Sequence, residues 1–303
     1  MVASINGMAE RFRGLLKGPE PIELPGCYDV LSAMIMQRSG FPAVFLSGYG
    51  VAASLLGNPD IGLTGLLETA LVAKNVIGAI SVPLVVDADN GYGNEDNVSR
   101  TVYEFEYAGV AAMAMEDQVL PKKCGHSEGK QVLPLPLYMR KLECALKARQ
   151  TPMVIIARTD SPTLDDGIMR AKQFVSAGAD AVIIDGLKSL EDVHRVAAEV
   201  PGPKQINLIY GGKTPLLSVD ELAKLGFKIV LYSTPGLYAI TRTLETWMKV
   251  LKEKRDLKAI SDVSVTFGDF QKLIEGAYGQ RPHRFAVGAL GPVDDPRSQP
   301  AKK

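Results

Sequence analysis

The sequence has few cysteines, few histidines and no long apolar run. Three cysteines and three histidines are spread over 303 residues, which are too few and too scattered for a disulfide framework or a structural zinc site. No apolar run reaches the roughly 18 residues that a membrane span needs. The first residues lack the long apolar core of a signal peptide. We therefore expect a cytoplasmic protein with no membrane partner.

The sequence also has no excess of charge of either sign. Lys plus Arg (34) equals Asp plus Glu (34), and the isoelectric point is about 6.8. Because nucleic-acid binding favours a basic excess, we expect no nucleic-acid partner. Hydrophobic residues make up 46% and charged residues 22% of the chain. This composition is that of a globular protein with a sizeable core.

Short apolar runs alternate with longer helical patterns along most of the chain. The candidate strands are Pro21–Pro25, Ala43–Ser47, Pro83–Asp89, Ala111–Glu116, Met153–Thr159, Ala181–Asp185, Gln205–Ile209 and Lys228–Tyr232. Apolar runs separated by helices are typical of a parallel sheet that is buried on both faces. Eight of them predict a closed (β/α)8 TIM-type barrel. The alternative is an open doubly wound sheet, but the glycine-rich dinucleotide motif of that fold is missing.

The chain shows no internal linker, so we assign residues 1–280 to a single barrel domain. Two extra helices, predicted at Ile240–Lys254 and Phe267–Gly276, follow the eighth strand and complete this domain. Residues 281–303 are rich in proline and glycine. We expect them to form a loosely ordered tail.

Acidic residues stand at the ends of neighbouring predicted strands. Asp87 and Asp89 close the third strand and Glu116 closes the fourth. In a barrel the C-terminal ends of the strands meet on one face, where reacting groups lie. Buried carboxylates are costly unless they are paired or bind a metal. Three carboxylates with no histidine among them predict Mg²⁺, or Mn²⁺, rather than zinc.

Other polar residues near these strand ends admit two interpretations. Arg158 either pairs with a neighbouring acid or clamps a substrate carboxylate through its planar guanidinium group. We favour the clamp, because a site with surplus negative charge needs a cation to bind an anionic substrate. Asp117 and Asp160 lie just past strand ends, where the alternative is that they cap helices or pair with Arg158.

The segment Pro121–Pro134, with the sequence PKKCGHSEGKQVLP, follows the fourth strand. Two lysines and His126 surround Cys124, a setting that lowers a thiol pKa and favours the thiolate or ready proton donation. Glycines near both ends of the segment indicate a mobile loop that closes over a substrate. The alternative is an ordinary basic surface loop that carries an incidental cysteine.

Five segments, in their order and spacing, resemble the isocitrate lyase and phosphoenolpyruvate mutase superfamily. They are SGYGVAASLLGNPDIGLT, DADNGYGN, AMEDQVLPKKCGH, IIARTDS and GGKTPLLS. The resemblance is to short members such as methylisocitrate lyase, dimethylmalate lyase and carboxyphosphonoenolpyruvate phosphonomutase. It implies an α/β barrel, one Mg²⁺, 2-hydroxy or 2-oxo carboxylate substrates, and a homotetramer in which a C-terminal helix is exchanged between subunits.

The resemblance also implies roles for individual residues. Asp87 matches the principal metal ligand, with Asp89 and Glu116 holding the ion directly or through water, and Cys124 matches the catalytic acid of the lyases. The other residues that we expect in catalysis are Arg158 and His126. Those that we expect in substrate binding are Ser47, Gly48, Tyr49, Asp60, Lys123, Gly125, Asp185 and Asn207.

The implied reaction is a retro-aldol cleavage of a 2-hydroxy di- or tricarboxylate. It gives a 2-oxo acid, pyruvate or glyoxylate, and a second carboxylate whose carbanion Cys124 protonates. The alternatives are a phosphonomutase of the carboxyphosphonoenolpyruvate type, an oxaloacetate hydrolase or decarboxylase, and a barrel without activity. Two positions depart from the family: Asp185 replaces a longer glutamate, and Tyr49 replaces a small residue. We expect Asp185 to lose reach and Tyr49 to narrow the pocket.

Overall fold

The strands of this chain close on themselves into a barrel. In the computed structural model, which describes residues 2–279 and the side chains of residues 7–276, eight parallel strands pair in sequence order. They are β1 (Ile22–Cys27), β2 (Val44–Leu46), β3 (Leu84–Asp87), β4 (Ala112–Glu116), β5 (Val154–Thr159), β6 (Ala181–Ile184), β7 (Lys204–Asn207) and β8 (Phe227–Tyr232). The last strand pairs with the first, Ile22 opposite Ile229. The predicted barrel is confirmed, and the open sheet is excluded.

Helices alternate with the strands and surround them. They are α1 (Val2–Lys17), α2 (Val30–Arg38), α3 (Gly48–Val51), α4 (Leu66–Ile77), α5 (Glu95–Ala108), α6 (Leu135–Ala148), α7 (Leu164–Ala177), α8 (Leu190–Glu199), α9 (Val219–Lys224), α10 (Pro235–Lys254) and α11 (Phe267–Gly279). Side-chain caps start several of them; Asp29, for example, accepts a hydrogen bond from the Ser32 amide at the start of α2. Gly109 and Gly178 end α5 and α7 with left-handed φ angles of 90° and 101°.

The buried apolar side chains form two clusters. One lies between the sheet and the surrounding helices. The other fills the inside of the barrel and includes Phe12 of α1, a helix that the sequence patterns do not predict. Phe12 is completely buried, and it packs with strand residues such as Ile22 and Val154. The barrel is therefore a filled core, which leaves its C-terminal mouth for a site.

The two helices predicted after the last strand are present as α10 and α11. None of the side chains of α10 is buried in the single chain. Exchange of a helix between subunits stays a prediction, and the predicted tail at 281–303 lies outside the described residues. Among the helices of residues 2–279, none is both long enough and apolar enough to cross a membrane.

Candidate active site

The acidic cluster lies at the C-terminal mouth of the barrel. Asp87 and Glu116 are the last residues of β3 and β4, and both are buried, as is Asp89. Asp89 stands beyond the end of β3 with a left-handed φ of 45°, a conformation that Asp tolerates better than most residues. The Glu116 amide donates to the Asp89 carbonyl over 2.8 Å. A turn, rather than strand alternation, therefore brings Asp89 to the same side as Asp87.

Gly48 lies against both carboxylates of this turn. A Cβ atom on Gly48 would stand 3.0 Å from Asp87 Oδ2 and 3.4 Å from Asp89 Oδ1. Ser47 caps the short helix α3 by accepting a hydrogen bond of 3.3 Å from the Gly50 amide. Ser47 and Tyr49 line the same cleft as Asp87. The structure thus brings the predicted Ser47–Tyr49 loop next to the predicted metal acids.

Lys122 places an ammonium group inside the acidic cluster. Its Nζ contacts Asp89 Oδ1 and lies 2.8 Å from Asp60 Oδ1, and only 2% of the side chain is exposed. Lys123 turns the other way: it is exposed, and its Nζ reaches the Glu128 carbonyl at 3.2 Å. Adjacent residues of an extended segment point to opposite sides. The structure therefore places the Lys122 ammonium group among the acids and turns the Lys123 side chain to the surface, whereas the sequence-based expectation was for Lys123 in substrate binding.

Burial raises the pKa values of two carboxylates in this cluster. It raises the pKa of Asp89 to about 7; Lys122 opposes this shift, and the charges of Asp87 and Asp60 add to it. Burial also raises the pKa of Glu116 well above its ordinary value, although Arg158 opposes the shift. One lysine does not balance this cluster, so an added divalent cation would be favoured here.

The donor set of the cluster fits Mg²⁺. Glu116 Oε1 is buried and accepts no hydrogen bond from the described part of the chain, so it can receive one from a water of the ion. Within residues 2–279, no three Asp, Glu, His or Cys side chains come together as a complete metal cage. Mg²⁺ typically keeps several waters and takes only one or two carboxylates from the protein. The arrangement therefore matches direct binding by one or two acids and water-mediated contact with the rest.

Arg158, on β5, is surrounded by three acids. Its Nε and Nη2 donate to the two Asp160 oxygens over 2.8 and 3.2 Å. Nη2 also lies 3.3 Å from Glu116 Oε2 and 3.0 Å from Asp185 Oδ2. Nη1 donates to no partner among the described residues, and Arg158 lines the cleft. The guanidinium group therefore pairs with acids on one edge and keeps a donor on the other.

Asp117 has a structural environment, unlike its neighbour Glu116. It accepts hydrogen bonds from the Asp160 amide at 2.9 Å and from Thr159 Oγ1 at 2.7 Å. Arg170 Nη1 lies 3.1 Å away. These bonds join the ends of β4 and β5, so Asp117 is held in structural contacts, although it pairs with Arg170 rather than with Arg158. Asp160 is the acid that pairs with Arg158.

Asp185 reaches two partners in spite of its short side chain. Its carboxylate lies 3.0 Å from Arg158 Nη2 and 3.3 Å from His126 Nε2, and Asn207 Nδ2 donates to it over 3.3 Å. Although burial opposes ionisation, Arg158 and His126 lower the pKa of Asp185 below its ordinary range. The expected loss of reach does not occur, because Gly125 lets the loop approach: a Cβ there would lie 2.2 Å from Asp185 Oδ2.

Cys124 lies on the loop that follows β4, which covers the cleft. Cys124 and Gly125 line the cleft together with Asp87 and Arg158. Two contacts fix this loop to later strand ends. His126 Nδ1 accepts from the Lys213 amide at 2.9 Å, and Lys130 Nζ lies 3.0 Å from Asp160 Oδ1. The loop is thus held over the site in a closed arrangement.

The prediction of a lowered thiol pKa is wrong. Burial raises the pKa of Cys124, and the negative charge of Asp185 adds to this effect. A hydrogen bond from the His126 backbone and the charge of Arg158 oppose it without reversing it. Neither adjacent lysine compensates, because Lys122 points to the carboxylates and Lys123 to solvent. The neutral thiol is therefore the form that faces the cleft, and a neutral thiol can donate a proton.

Six further residues, which the sequence patterns do not single out as site residues, line the cleft. They are Phe45, Ile209, Leu231, Ser233, Thr234 and Tyr238. Ser233 Oγ and Asn207 Oδ1 are buried without a hydrogen-bond partner among the described residues. Tyr49 is half-buried and lines the cleft, and burial and the adjacent Tyr238 raise its pKa. Narrowing of the pocket by Tyr49 stays a prediction. The cleft wall offers two polar atoms, Ser233 Oγ and Asn207 Oδ1, that bond to no other described residue.

The sequence profile of the phosphoenolpyruvate phosphomutase family matches residues 12–251, which is more than half of the chain. The chain belongs to this family. Among similar proteins, 2,3-dimethylmalate lyase of Eubacterium barkeri is 38% identical over 270 residues, which cover 88% of this chain and 93% of that protein. The 2-methylisocitrate lyase of Bacillus subtilis (strain 168) is 37% identical over 249 residues, covering 81% of this chain and 82% of that protein.

Solved structures of family members have the same fold. A structure of 2,3-dimethylmalate lyase, described as a PEP mutase/isocitrate lyase superfamily member, superposes with a TM-score of 0.85 at 30% identity, covering 94% of this chain and 98% of that one. A structure of oxaloacetate acetylhydrolase in complex with the inhibitor 3,3-difluorooxalacetate superposes with a TM-score of 0.84 at 31% identity, covering 91% of this chain and 95% of that one. The superfamily that the sequence motifs indicate is therefore confirmed.

Proposed function

We propose that the protein is a Mg²⁺-dependent carbon–carbon lyase, with Mn²⁺ as an alternative ion. Its substrate would be a 2-hydroxy di- or tricarboxylate of the dimethylmalate or methylisocitrate kind. The observation that carries this proposal is the convergence of Asp87, Arg158 and the neutral thiol of Cys124 on one cleft. The same site joins a place for a hard metal ion, a cation for a carboxylate and a proton donor. The two lyase relatives support this reading.

One half of the site would hold the part of the substrate that becomes the 2-oxo acid. Asp87, with Asp89 and Glu116, would hold the ion. When bound, Mg²⁺ supplies Lewis-acid stabilisation of negative charge that develops on the substrate hydroxyl. The Ser47–Tyr49 loop and the unused Nη1 of Arg158 orient the adjacent carboxylate, since a guanidinium group binds carboxylates with defined geometry.

The other half would handle the fragment that leaves. The substrate hydroxyl loses its proton to solvent and becomes the carbonyl of the 2-oxo acid, and the carbon–carbon bond breaks, which leaves an electron pair on the carbon next to the carboxylate of the leaving fragment. Cys124 gives its proton to that carbon and becomes a thiolate, which solvent reprotonates after the loop opens. Asn207 and Asp185 line the same part of the cleft and would position this fragment.

Product analysis tests the function. The protein with Mg²⁺ is incubated with 2,3-dimethylmalate, 2-methylisocitrate and oxaloacetate, and the products are identified by mass spectrometry. A parallel ³¹P NMR assay detects phosphonate rearrangement. Release of pyruvate from a 2-hydroxy acid is expected. Rearrangement without cleavage would replace the lyase proposal with the phosphonomutase alternative.

The variant Cys124→Ser tests the role of the thiol. We expect it to lose most of the turnover, because an alcohol is a far weaker acid, and to keep Mg²⁺-dependent binding of oxalate by calorimetry, because the metal half is intact. Full turnover in this variant would rule out Cys124 as the proton donor.

Hydrolysis of oxaloacetate is a second candidate, favoured by Ser233. Its hydroxyl is buried in the cleft wall and bonds to no other residue that the structure describes, so it can hold a water or a hydrated carbonyl group. Oxaloacetate acetylhydrolase is among the similar structures. Formation of oxalate and acetate from oxaloacetate, lost in Ser233→Ala, would favour this candidate over the lyase.

A further inference from the structure

Gln118 is a buried residue whose side chain acts like a backbone peptide group. It follows the metal-site strand β4, and 1% of it is exposed. Its amide Nε2 donates to the Lys123 carbonyl over 2.7 Å, and its Oε1 accepts from the Lys123 amide over 2.9 Å. Both polar atoms of the side chain are thus used on one residue of the loop, as in a pair of antiparallel strands.

The backbone of Gln118 joins the two ends of the same loop. Gln118 forms an antiparallel bridge with Val132, and the Val119 amide donates to the Gln131 carbonyl over 2.9 Å. These bonds close the base of the loop but do not reach the residues that face the cleft. The side-chain bonds to Lys123 extend the pairing to the residue that immediately precedes Cys124.

Gln118 is also tied to the turn that carries Asp89. Asn90 Nδ2 donates to the Gln118 carbonyl over 3.3 Å, and the Lys141 ammonium on α6 contacts the Asn90 carbonyl. One buried residue therefore touches the turn beside the metal acids through its backbone and the loop beside the thiol through its side chain. No other described residue makes hydrogen bonds to both Lys123 backbone groups.

We infer that Gln118 is a positioning residue that sets the place of Cys124 relative to the metal half of the cleft. This inference rests on the proposed role of Cys124 as proton donor. Lys123 then contributes its backbone to the site, while its side chain remains in solvent. Removal of the Gln118 amide frees the loop segment before Cys124 without touching any group that meets the substrate.

The test compares Gln118→Met and Gln118→Glu with the control Gln131→Met. Glu keeps the size of Gln118 but sets a carboxylate oxygen against the Lys123 carbonyl. Gln131 lies on the same loop with an exposed side chain. Three quantities are measured: the rate at which iodoacetamide alkylates Cys124, read from its own peptide by mass spectrometry; kcat and KM; and Mg²⁺-dependent oxalate affinity by calorimetry.

We expect iodoacetamide to alkylate Cys124 several-fold faster in both Gln118 variants than in the wild type. We expect kcat to fall by about 10- to 100-fold, since misplacement of a reacting group by about 1 Å has such effects. The oxalate affinity of the Gln118 variants should equal that of the wild type, and the control Gln131→Met should equal the wild type in all three quantities. If Gln118 variants match the control in alkylation and kcat, the inference is overturned. If alkylation rises but no protein in the set cleaves any substrate, the positioning role stands and the proposed lyase function fails.

Discussion

At the scale of single residues, the three cysteines differ in where their thiols lie. Cys27 is buried in the core and Cys144 is half-buried on α6, whereas Cys124 faces the cleft. Positive neighbours in the sequence suggest a thiolate at Cys124, but desolvation outweighs them in the folded chain. A sequence shows which charged residues are close to Cys124 along the chain, whereas the pKa of its thiol depends on which groups are close to it in space.

The raised pKa of Cys124 predicts the pH dependence of both its reactivity and the turnover. Because thiolates, not thiols, are alkylated, the alkylation rate of Cys124 should rise with a midpoint above that of a small cysteine peptide measured alongside. In the proposed mechanism turnover needs the protonated thiol, so kcat should hold through neutral pH and decline only as pH rises through this shifted pKa. A midpoint below that of the peptide would contradict the assignment.

The sequence predicts part of the site, for a physical reason. Strand ends meet at one mouth in any barrel, so Asp87, Glu116 and Arg158 could be found from the strand pattern alone. The choice of Lys122 over Lys123 depends on which way a loop residue turns, and no periodicity in the loop encodes that. Ser233 could also have been predicted from the sequence, because it directly follows β8 and polar residues at strand ends meet at the mouth of the barrel.

At the scale of elements, α1 shows a limit of pattern reading. Every strand was located to within a few residues, because most of them are compact apolar runs between helical patterns. Among the side chains of α1 that the structure describes, at residues 7–17, only Ala9 and Phe12 are fully buried. The importance of this helix comes from what it covers: Phe12 joins the cluster inside the barrel, a long-range contact that the local sequence does not reveal.

Removing that contact should destabilise the whole barrel. We expect Phe12→Ala to lower the free energy of unfolding by about 3–5 kcal/mol, as for other buried aromatic truncations. Chemical denaturation followed by circular dichroism measures the change. The control Leu216→Ala removes an exposed apolar side chain and should cost less than about 0.5 kcal/mol. Equal losses of unfolding free energy in the two variants would show that the Phe12 contact does not stabilise the barrel.

At the scale of the whole molecule, helix α10 exposes a row of apolar side chains. Ile240, Leu244 and Met248 recur every four residues on α10, and all are exposed. Such a row of apolar side chains along one helix face marks a surface that another molecule covers. We propose that a second copy of the chain covers it in a homotetramer.

Sedimentation tests this proposal. The wild-type protein should sediment at about four times the chain mass of 32.6 kDa, and Leu244→Asp with Met248→Asp should shift it to smaller species, because a charge in an apolar interface is costly. The control Thr246→Asp adds the same type of charge on the other side of the helix. A wild-type monomer, or a double variant that still assembles, would contradict the proposal.

Lys122 and Cys124 lie two residues apart on one loop, and this has a consequence for the order in which ligands bind. Opening the loop withdraws an ammonium group from Asp89 and Asp60 along with the thiol. A divalent cation among the acids repels that ammonium group, and an anionic ligand restores the attraction. We therefore expect affinity and loop position to be linked reciprocally: metal alone should favour an open loop, and metal with substrate should favour the closed one.

The alkylation rate of Cys124 reports this linkage directly. We expect Mg²⁺ alone to speed alkylation relative to the metal-free protein, and Mg²⁺ with oxalate to slow it below both. Protection by Mg²⁺ alone would contradict the linkage. If the expected order is observed, a charge carried by the loop makes the enzyme admit its metal first and its substrate second, and the proton donor arrives only when both are in place.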